Sequence, residues 1–353
     1  MIREYYLSLI RGERKDPLIW ALKKVLGLLG MIYGGMVQCH GALYNGGILR
    51  RQKLPVPVIS VGNITWGGTG KTPLVIELAG MIQRLGKKPA VLTRGYGSDE
   101  WKEITANLPG VPVGVGRNRI QSGLEILSKE RVDVMLCDDA FQHRPLERDW
   151  DIVTINAASP FGNGCLIPAG ELRELPAALA RAQTIVLTHV DRVSASQLAG
   201  LKEKLLHEAP QAEWVEAVHE PVHFYEAASG EIKAMESFRG KRAAAFSAVG
   251  APRLFIETLE RLEIQIVKAF EFQDHHPFTA QDITGIRDFM KQTGIETVIT
   301  TEKDLFRAPE LLKKSLHPWI LKVRMKIVSG EEKMTARFSE LLQGPVAREK
   351  VYA

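Results

Sequence analysis

Residues 54–73 read LPVPVISVGNITWGGTGKTP, and LVIELAGMIQRLG follows over 74–86. The run 54–62 is short, apolar, rich in β-branched residues and closed by glycine, the pattern of a buried strand. The segment after Pro73 spaces its apolar residues as a helix does. Between them stand Gly67, Gly68, Thr69, Gly70, Lys71 and Thr72. Strand, glycine-rich turn, Lys-Thr and helix together form the context of a phosphate-binding loop. Glycines let successive backbone N–H groups converge on phosphate oxygens, and the helix N-terminus adds partial positive charge. On this reading Lys71 reaches the β- and γ-phosphates and the Thr72 hydroxyl ligates magnesium. Thr65 stands where the usual loop carries its first glycine, so this is a variant form.

Further along, VDVMLCDD (132–139) is an apolar strand ending in Asp138 and Asp139. Adjacent carboxylates repel, so a metal or a cation is expected beside them, and a strand end near a phosphate loop is where a nucleotide–magnesium site needs them. Residues 89–93, 151–155 and 184–188 read as further strands between helical stretches, which predicts a mostly parallel sheet with helices on both faces. After a mixed stretch around Pro221, the segments 243–249, 264–272, 297–301 and 319–327 repeat the alternation and predict a second, smaller α/β domain. A length of 353 residues, with 45% apolar and 25% charged, suits two globular domains. The net charge of +5 is too mild to imply a nucleic-acid partner. Cys39, Cys137 and Cys165 are odd in number and lack CxxC spacing, which excludes a disulfide framework and a cysteine-only zinc site.

The N-terminus does not read as a cleavable signal, because charges interrupt residues 1–17. From 25 to 49 no residue is charged, long enough for a span, but seven of those positions are glycine. Asp16 is a plausible N-cap for a helix beginning at Pro17, with Leu18, Ile19, Leu22, Val25, Leu26 and Leu29 at helical spacing beside Lys23 and Lys24. That pattern fits a helix lying in a membrane interface, with Trp20 at headgroup level and Arg11, Arg14 and Lys15 adding charge. A helix packed on a soluble core and a full membrane span are the alternatives.

These stretches, with TRGYG (93–97), LPGVPVGVGRNR (108–119), DDAFQHRPLERD (138–149), FGNGCLIPAGELRE (161–174), AFSAVGAP (245–252), FQDHHPFT (272–279) and TTEKD (300–304), resemble the tetraacyldisaccharide 4'-kinase family of lipid A biosynthesis. The resemblance implies a P-loop NTPase-like fold and transfer of the ATP γ-phosphoryl group to the 4'-hydroxyl of a tetraacylated glucosamine disaccharide 1-phosphate. It also implies ATP and Mg2+ as cofactors, a lipid substrate, a membrane interface, and a place at the cytoplasmic face of the inner membrane. By resemblance Asp99 is the base, assisted by His275 with His276 as the neighbouring alternative, and Lys71 acts on the phosphates. Glu100, Asp138 and Asp139 join Thr72 as magnesium candidates. Gln142, His143, Arg173 and Arg94 are candidates for phosphate or sugar, as are Arg117 and Arg119. Here Ser98-Asp99-Glu100-Trp101 follows TRGYG directly, without the family's usual intervening residues, and Ala140 replaces a turn glycine.

The expected organisation is an N-terminal membrane-associated segment (1–53), a P-loop kinase core (54–210), a linking β-ribbon (211–236) and a C-terminal α/β domain (237–353) that contributes His275. The rival class is a P-loop GTPase acting as a switch or metal-delivery module, suggested by Thr188-His189-Val190-Asp191, which lacks the lysine of a guanine-reading motif. A membrane-associated protein that holds ATP without catalysis is the third reading.

Overall fold

The computed structural model of the chain describes residues 17–95 and 100–343. In chain order its elements begin with α1 (Pro17–Asn45), β1 (Val58–Gly62), α2 (Lys71–Arg84), β2 (Pro89–Thr93), α3 (Glu100–Asn107), β3 (Val113–Val115) and α4 (Arg119–Leu127). There follow β4 (Val134–Asp138), β5 (Trp150–Asn156), β6 (Thr184–Thr188), α5 (Ala195–Glu208), β7 (Glu213–Glu226), β8 (Ile232–Lys233) and β9 (Arg242–Ser247). The chain continues through α6 (Pro252–Arg261), β10 (Gln265–Glu271), α7 (Ala280–Thr293), β11 (Thr297–Thr301), α8 (Glu302–Arg307), α9 (Pro309–Ser315), β12 (Trp319–Ser329) and α10 (Glu331–Gln343).

Among the described residues the chain divides into two compact units: 17–95, 107–218 and 325–343 form the first, and 100–106 with 219–324 form the second. In the first unit the strand order is β7-β6-β5-β1-β4-β2-β3. Every neighbouring pair is parallel. β1, β2, β4 and β6 are buried along their whole length. Parallel strands covered on both faces are largely apolar, and for this reason the segments read as near-continuous hydrophobic runs. One apolar cluster gathers Ile64, Phe141, Val153, Ile185 and Leu205, and another gathers Leu54, Leu92, Met135 and Leu146. β1 lies between β4 and β5, and its register sets Val61 opposite Asp138. The loops leaving β1 and β4 therefore emerge side by side at the carboxyl ends of the strands, where open α/β sheets bind ligands.

α1 packs on this unit through small residues: among its residues of described burial, Gly30, Gly34 and Gly41 are the buried positions. A Cβ at Gly34 would sit 2.6 Å from Leu166 Cδ1 and one at Gly30 3.1 Å from the Leu166 carbonyl oxygen, so a larger residue at either would push its neighbour aside. The apolar side chains point the other way, and Trp20, Val25, Leu28, Met31, Ile32 and Met36 are each more than half exposed. By length and composition the helix could also cross a membrane. Its expected cap, Asp16, and the basic residues Arg11, Arg14 and Lys15 lie outside the described residues.

In the second unit the strand order is β10-β9-β11-β12, each neighbouring pair parallel. Its core includes Phe246, Phe278, Ile286, Val298, Leu305 and Ile320. Within the expected linking ribbon, the end of β7 pairs antiparallel with β8. The boundaries differ from expectation: residues 17–53 and 211–218 also fall in the first unit. Residues 325–343 belong with the first unit and not with a C-terminal domain running to 353. The reason is the apolar face of α10: Met334, Phe338 and Leu342 are buried at four-residue spacing, and Phe338 meets Trp150 edge-on with ring centroids 5.1 Å apart. Residues 100–106 cluster instead with the second unit, where Lys102 Nζ donates to the Phe306 carbonyl (3.4 Å) and Glu100 faces Lys303 (3.9 Å).

Candidate active site

The loop after β1 is held from beneath by a buried polar latch. Asn63 Nδ2 donates to Thr69 Oγ1 (2.9 Å), Thr69 Oγ1 lies 2.8 Å from Thr154 Oγ1, and Thr188 Oγ1 donates to the Thr69 carbonyl (3.1 Å). From the side, Trp66 N–H donates to the Glu171 carbonyl (2.6 Å) and Arg173 N–H to that of Ile64 (2.7 Å). Gly70 caps α2 in the left-handed region (φ 82°) and brings no side chain to the helix end. The first-turn N–H groups of α2, which have no intrahelical acceptors, are left for an anion.

Around that anion site stand the expected charged residues. Thr72 Oγ1 donates to Asp138 Oδ2 (3.1 Å), so hydroxyl and carboxylate already share one place. These are hard oxygen donors of the kind magnesium takes, and the ion usually completes its shell with phosphate and water. Asp139, in the left-handed region (φ 48°), accepts from Arg173 Nη1 (2.6 Å) and faces Lys71 Nζ (3.7 Å). Burial opposes its ionisation, but Lys71 and Arg173 outweigh burial and hold the carboxyl at about 2. Among the described residues no group of three or more His, Cys, Asp and Glu side chains converges as a metal cage. Thr72 and Asp138 therefore fit magnesium only together with a nucleotide.

Arg173 also donates to Asn63 Oδ1 (3.2 Å), which ties the loop before residue 174 to the phosphate loop. Gln142 Nε2 bridges the Asn63 carbonyl (2.8 Å) and Glu174 Oε1 (3.0 Å). His143 is half-buried, and burial, then Arg119, Arg148 and Arg94, lower its pKa to about 4, so the ring is neutral at pH 7. Arg94 and Arg117 are exposed. Arg119 departs from expectation: it is buried and donates to the Asp138 (2.7 Å) and Asp139 (3.0 Å) carbonyls, so it fixes the turn that presents the carboxylates. Glu100 lies in the second unit, on α3, beside Lys303. Asp99 lies outside the described residues.

Within the second unit, His275 adopts φ 63°, donates its backbone N–H to the Ala248 carbonyl (3.2 Å), and has Nε2 3.8 Å from Asp274 Oδ1. His276 is committed elsewhere: its Nε2 lies 2.9 Å from Asp282 Oδ2 and its ring stacks on Phe272. Asp282 and Thr279 form the capping box of α7, so helix capping there does not fall to His275.

Sequence reasoning missed the latch of Asn63, Thr154 and Thr188, and the group of Glu174 with Gln142 and Arg181. A signal existed for the first, since Thr154 and Thr188 are polar residues in largely apolar strands.

A phosphate loop on a central parallel strand, its lysine beside a strand-end carboxylate and its threonine hydrogen-bonded to another, define a P-loop nucleotide-binding protein. A family model described as tetraacyldisaccharide-1-P 4'-kinase matches residues 22–343, and the chain belongs to that family. The tetraacyldisaccharide 4'-kinase of Syntrophobacter fumaroxidans is 37% identical over 335 residues, covering 89% of this chain and 86% of its own. That of Syntrophus aciditrophicus is 34% identical over 348 residues, covering 90% and 92%. Among solved structures, LpxK from Aquifex aeolicus in complex with ATP superposes with a TM-score of 0.71 at 26% identity, covering 91% of this chain and 99% of that one. Membership sets aside the GTPase reading, and Thr188 of its supposed motif serves the latch instead.

Proposed function

We propose that this chain transfers the γ-phosphoryl group of ATP to the 4'-hydroxyl of a tetraacyldisaccharide 1-phosphate in lipid A biosynthesis. The observation that carries the reading is the adjacency, within the first unit, of a phosphate loop and an amphipathic cavity. That cavity, about 290 Å3, is walled by Tyr33, Met36 and Val37 of α1 on one side and by Gln142, Arg173 and Glu174 on the other. Arg173 is the residue that touches both Asp139 and the phosphate-loop Asn63. An acceptor with acyl chains and a polar sugar matches apolar and polar walls in that order. ATP as donor is supported by the bound nucleotide of the Aquifex relative.

Lys71 neutralises phosphate oxygens, and the first turn of α2 cradles them. Asp139 holds Lys71 and Arg173 in position before nucleotide arrives, and the phosphates compete with it for the lysine. Thr72 and Asp138 hold magnesium, with Glu100 and Asp139 as further candidates; when bound, the ion neutralises developing phosphate charge. Asp99 accepts the proton of the 4'-hydroxyl, and His275 orients or assists it. Gln142, His143 and Arg94 contact the acceptor's sugar or phosphate.

The acceptor is a lipid, so the enzyme meets it at a bilayer. The outward side chains of α1, with Lys23 and Lys24, suit shallow insertion into the cytoplasmic face of the inner membrane. The direct test incubates the purified full chain with labelled ATP and a tetraacyldisaccharide 1-phosphate in detergent micelles. Label must appear at the 4'-position of the lipid; ATP hydrolysis without labelled lipid refutes the assignment.

A further inference from the structure

We propose that a second cavity of the first unit, walled by arginines, is a binding site for a phosphate group distinct from the phosphate loop. The cavity measures about 260 Å3 and is bounded by Arg51, Arg144, Arg148 and Arg181 with Asn45 and Asp151. Arg148 is matched: it binds Asp151 through Nε (2.7 Å) and Nη2 (3.1 Å). Arg181 is matched as well, holding Glu174 through two 2.9 Å bonds. Arg144 is only 7% exposed and pairs less closely, at 3.4 Å, with the same Glu174. Glu174 Oε1 already accepts from Arg181 and Gln142, and its Oε2 accepts from Arg181.

Four guanidinium groups thus face two carboxylates, and the surplus of two positive charges falls on the exposed Arg51 and on the buried Arg144, which shares its carboxylate with Arg181. Burial and then Arg181 lower the Arg144 pKa, Glu174 opposes them, and Arg148 and Arg51 add to the lowering, so the positive groups do feel one another. The Arg144 guanidinium lies against Gly41 of α1, where a Cβ would come within 3.0 Å of Cζ, and Arg144 also lines the cavity beside Tyr33, Met36 and Val37. Arg51 is exposed at the rim and spends one N–H on Asn45 Oδ1 (2.9 Å). Arg181 Nε is buried and has no partner among the described residues. Planar, forked donors converging on a small polar cavity match a tetrahedral oxyanion. The ligand is a phosphate ester, supplied either by a soluble metabolite or by a phospholipid headgroup.

The test uses the full chain carrying Lys71→Ala in non-ionic detergent, so that the phosphate loop contributes less and kinase turnover plays no part in the readout. Isothermal titration with inorganic phosphate and glycerol 3-phosphate is followed by flotation with phosphatidylglycerol or phosphatidylcholine vesicles. Saturable phosphate binding that weakens about ten-fold in Arg51→Ala and in Arg144→Met, and is partly regained in Arg144→Lys, supports the site. Arg51→Ala carries the test alone if Arg144→Met does not fold. Tight glycerol 3-phosphate binding without vesicle preference points to a soluble ester. A preference for phosphatidylglycerol lost in Arg51→Ala points to a headgroup. Absence of phosphate binding, or binding that these substitutions leave unchanged, overturns the proposal.

Discussion

Replacing Asp139 by asparagine removes the charge that Lys71 and Arg173 share while keeping the side-chain shape. A carboxyl held at about 2 instead of its ordinary 3.8 corresponds to about 2.4 kcal/mol at face value. A third of the side chain is in solvent, and screening reduces that figure to about 1–1.5 kcal/mol. Because the folded value lies below the unfolded one, the contribution is complete above pH 3.8 and is lost as pH falls from there toward 2. Urea unfolding of the wild type and Asp139→Asn should therefore differ by about 1–1.5 kcal/mol at pH 7, with the gap unchanged down to about pH 5. Saturating ATP should shrink the gap, since phosphate replaces Asp139 as the anion facing Lys71. Equal stability of the two proteins at pH 7, or a gap already closed near pH 6, would refute the reasoning.

Lys71→Ala should cut lipid phosphorylation by several orders of magnitude with the circular dichroism spectrum unchanged; near-normal turnover would remove the phosphate-loop assignment. Asp99→Ala should lower kcat far more than it raises the KM for ATP, His275→Ala should behave alike, and the double variant should lose less than the two effects combined. Collapse of ATP affinity with kcat preserved would make Asp99 a metal ligand. Replacing the exposed Leu28, Met31 and Ile32 together by serine should weaken vesicle binding about 100-fold, at about 1 kcal/mol each, and leave ATP affinity intact. Unchanged flotation would refute insertion through that face. As pH falls from 6.5 toward 4, the wild type should lose stability that a His143→Asn variant retains, because the unfolded imidazole takes up a proton before the folded one does.

Much of the first unit was legible because its determinants are local. Buried parallel strands need near-continuous apolar runs, and a phosphate loop needs glycines, a lysine and a threonine at fixed offsets between strand and helix; both conditions can be read along a line. Asp138 and Asp139 were legible for the same reason, as acids at the end of an apolar strand. The partners of those residues were not. That Arg119 is buried under the Asp138–Asp139 turn, that Arg173 bonds Asp139, and that Thr154 and Thr188 latch Thr69 are matters of strand order, which brings together groups 20 to 119 positions apart. The same holds for the termini. The glycines of α1 read as interruptions of a membrane helix, but in the fold Gly30, Gly34 and Gly41 are its contact face. α10 reads as the end of a second domain, yet Phe338 finds its place against Trp150. Sequence alone determined which segments are strand, helix and phosphate loop, since hydrogen bonding and backbone freedom act over a few residues. Only the tertiary structure decided which charges are paired and which apolar faces are covered, because pairing and burial depend on whatever the completed sheet sets beside them.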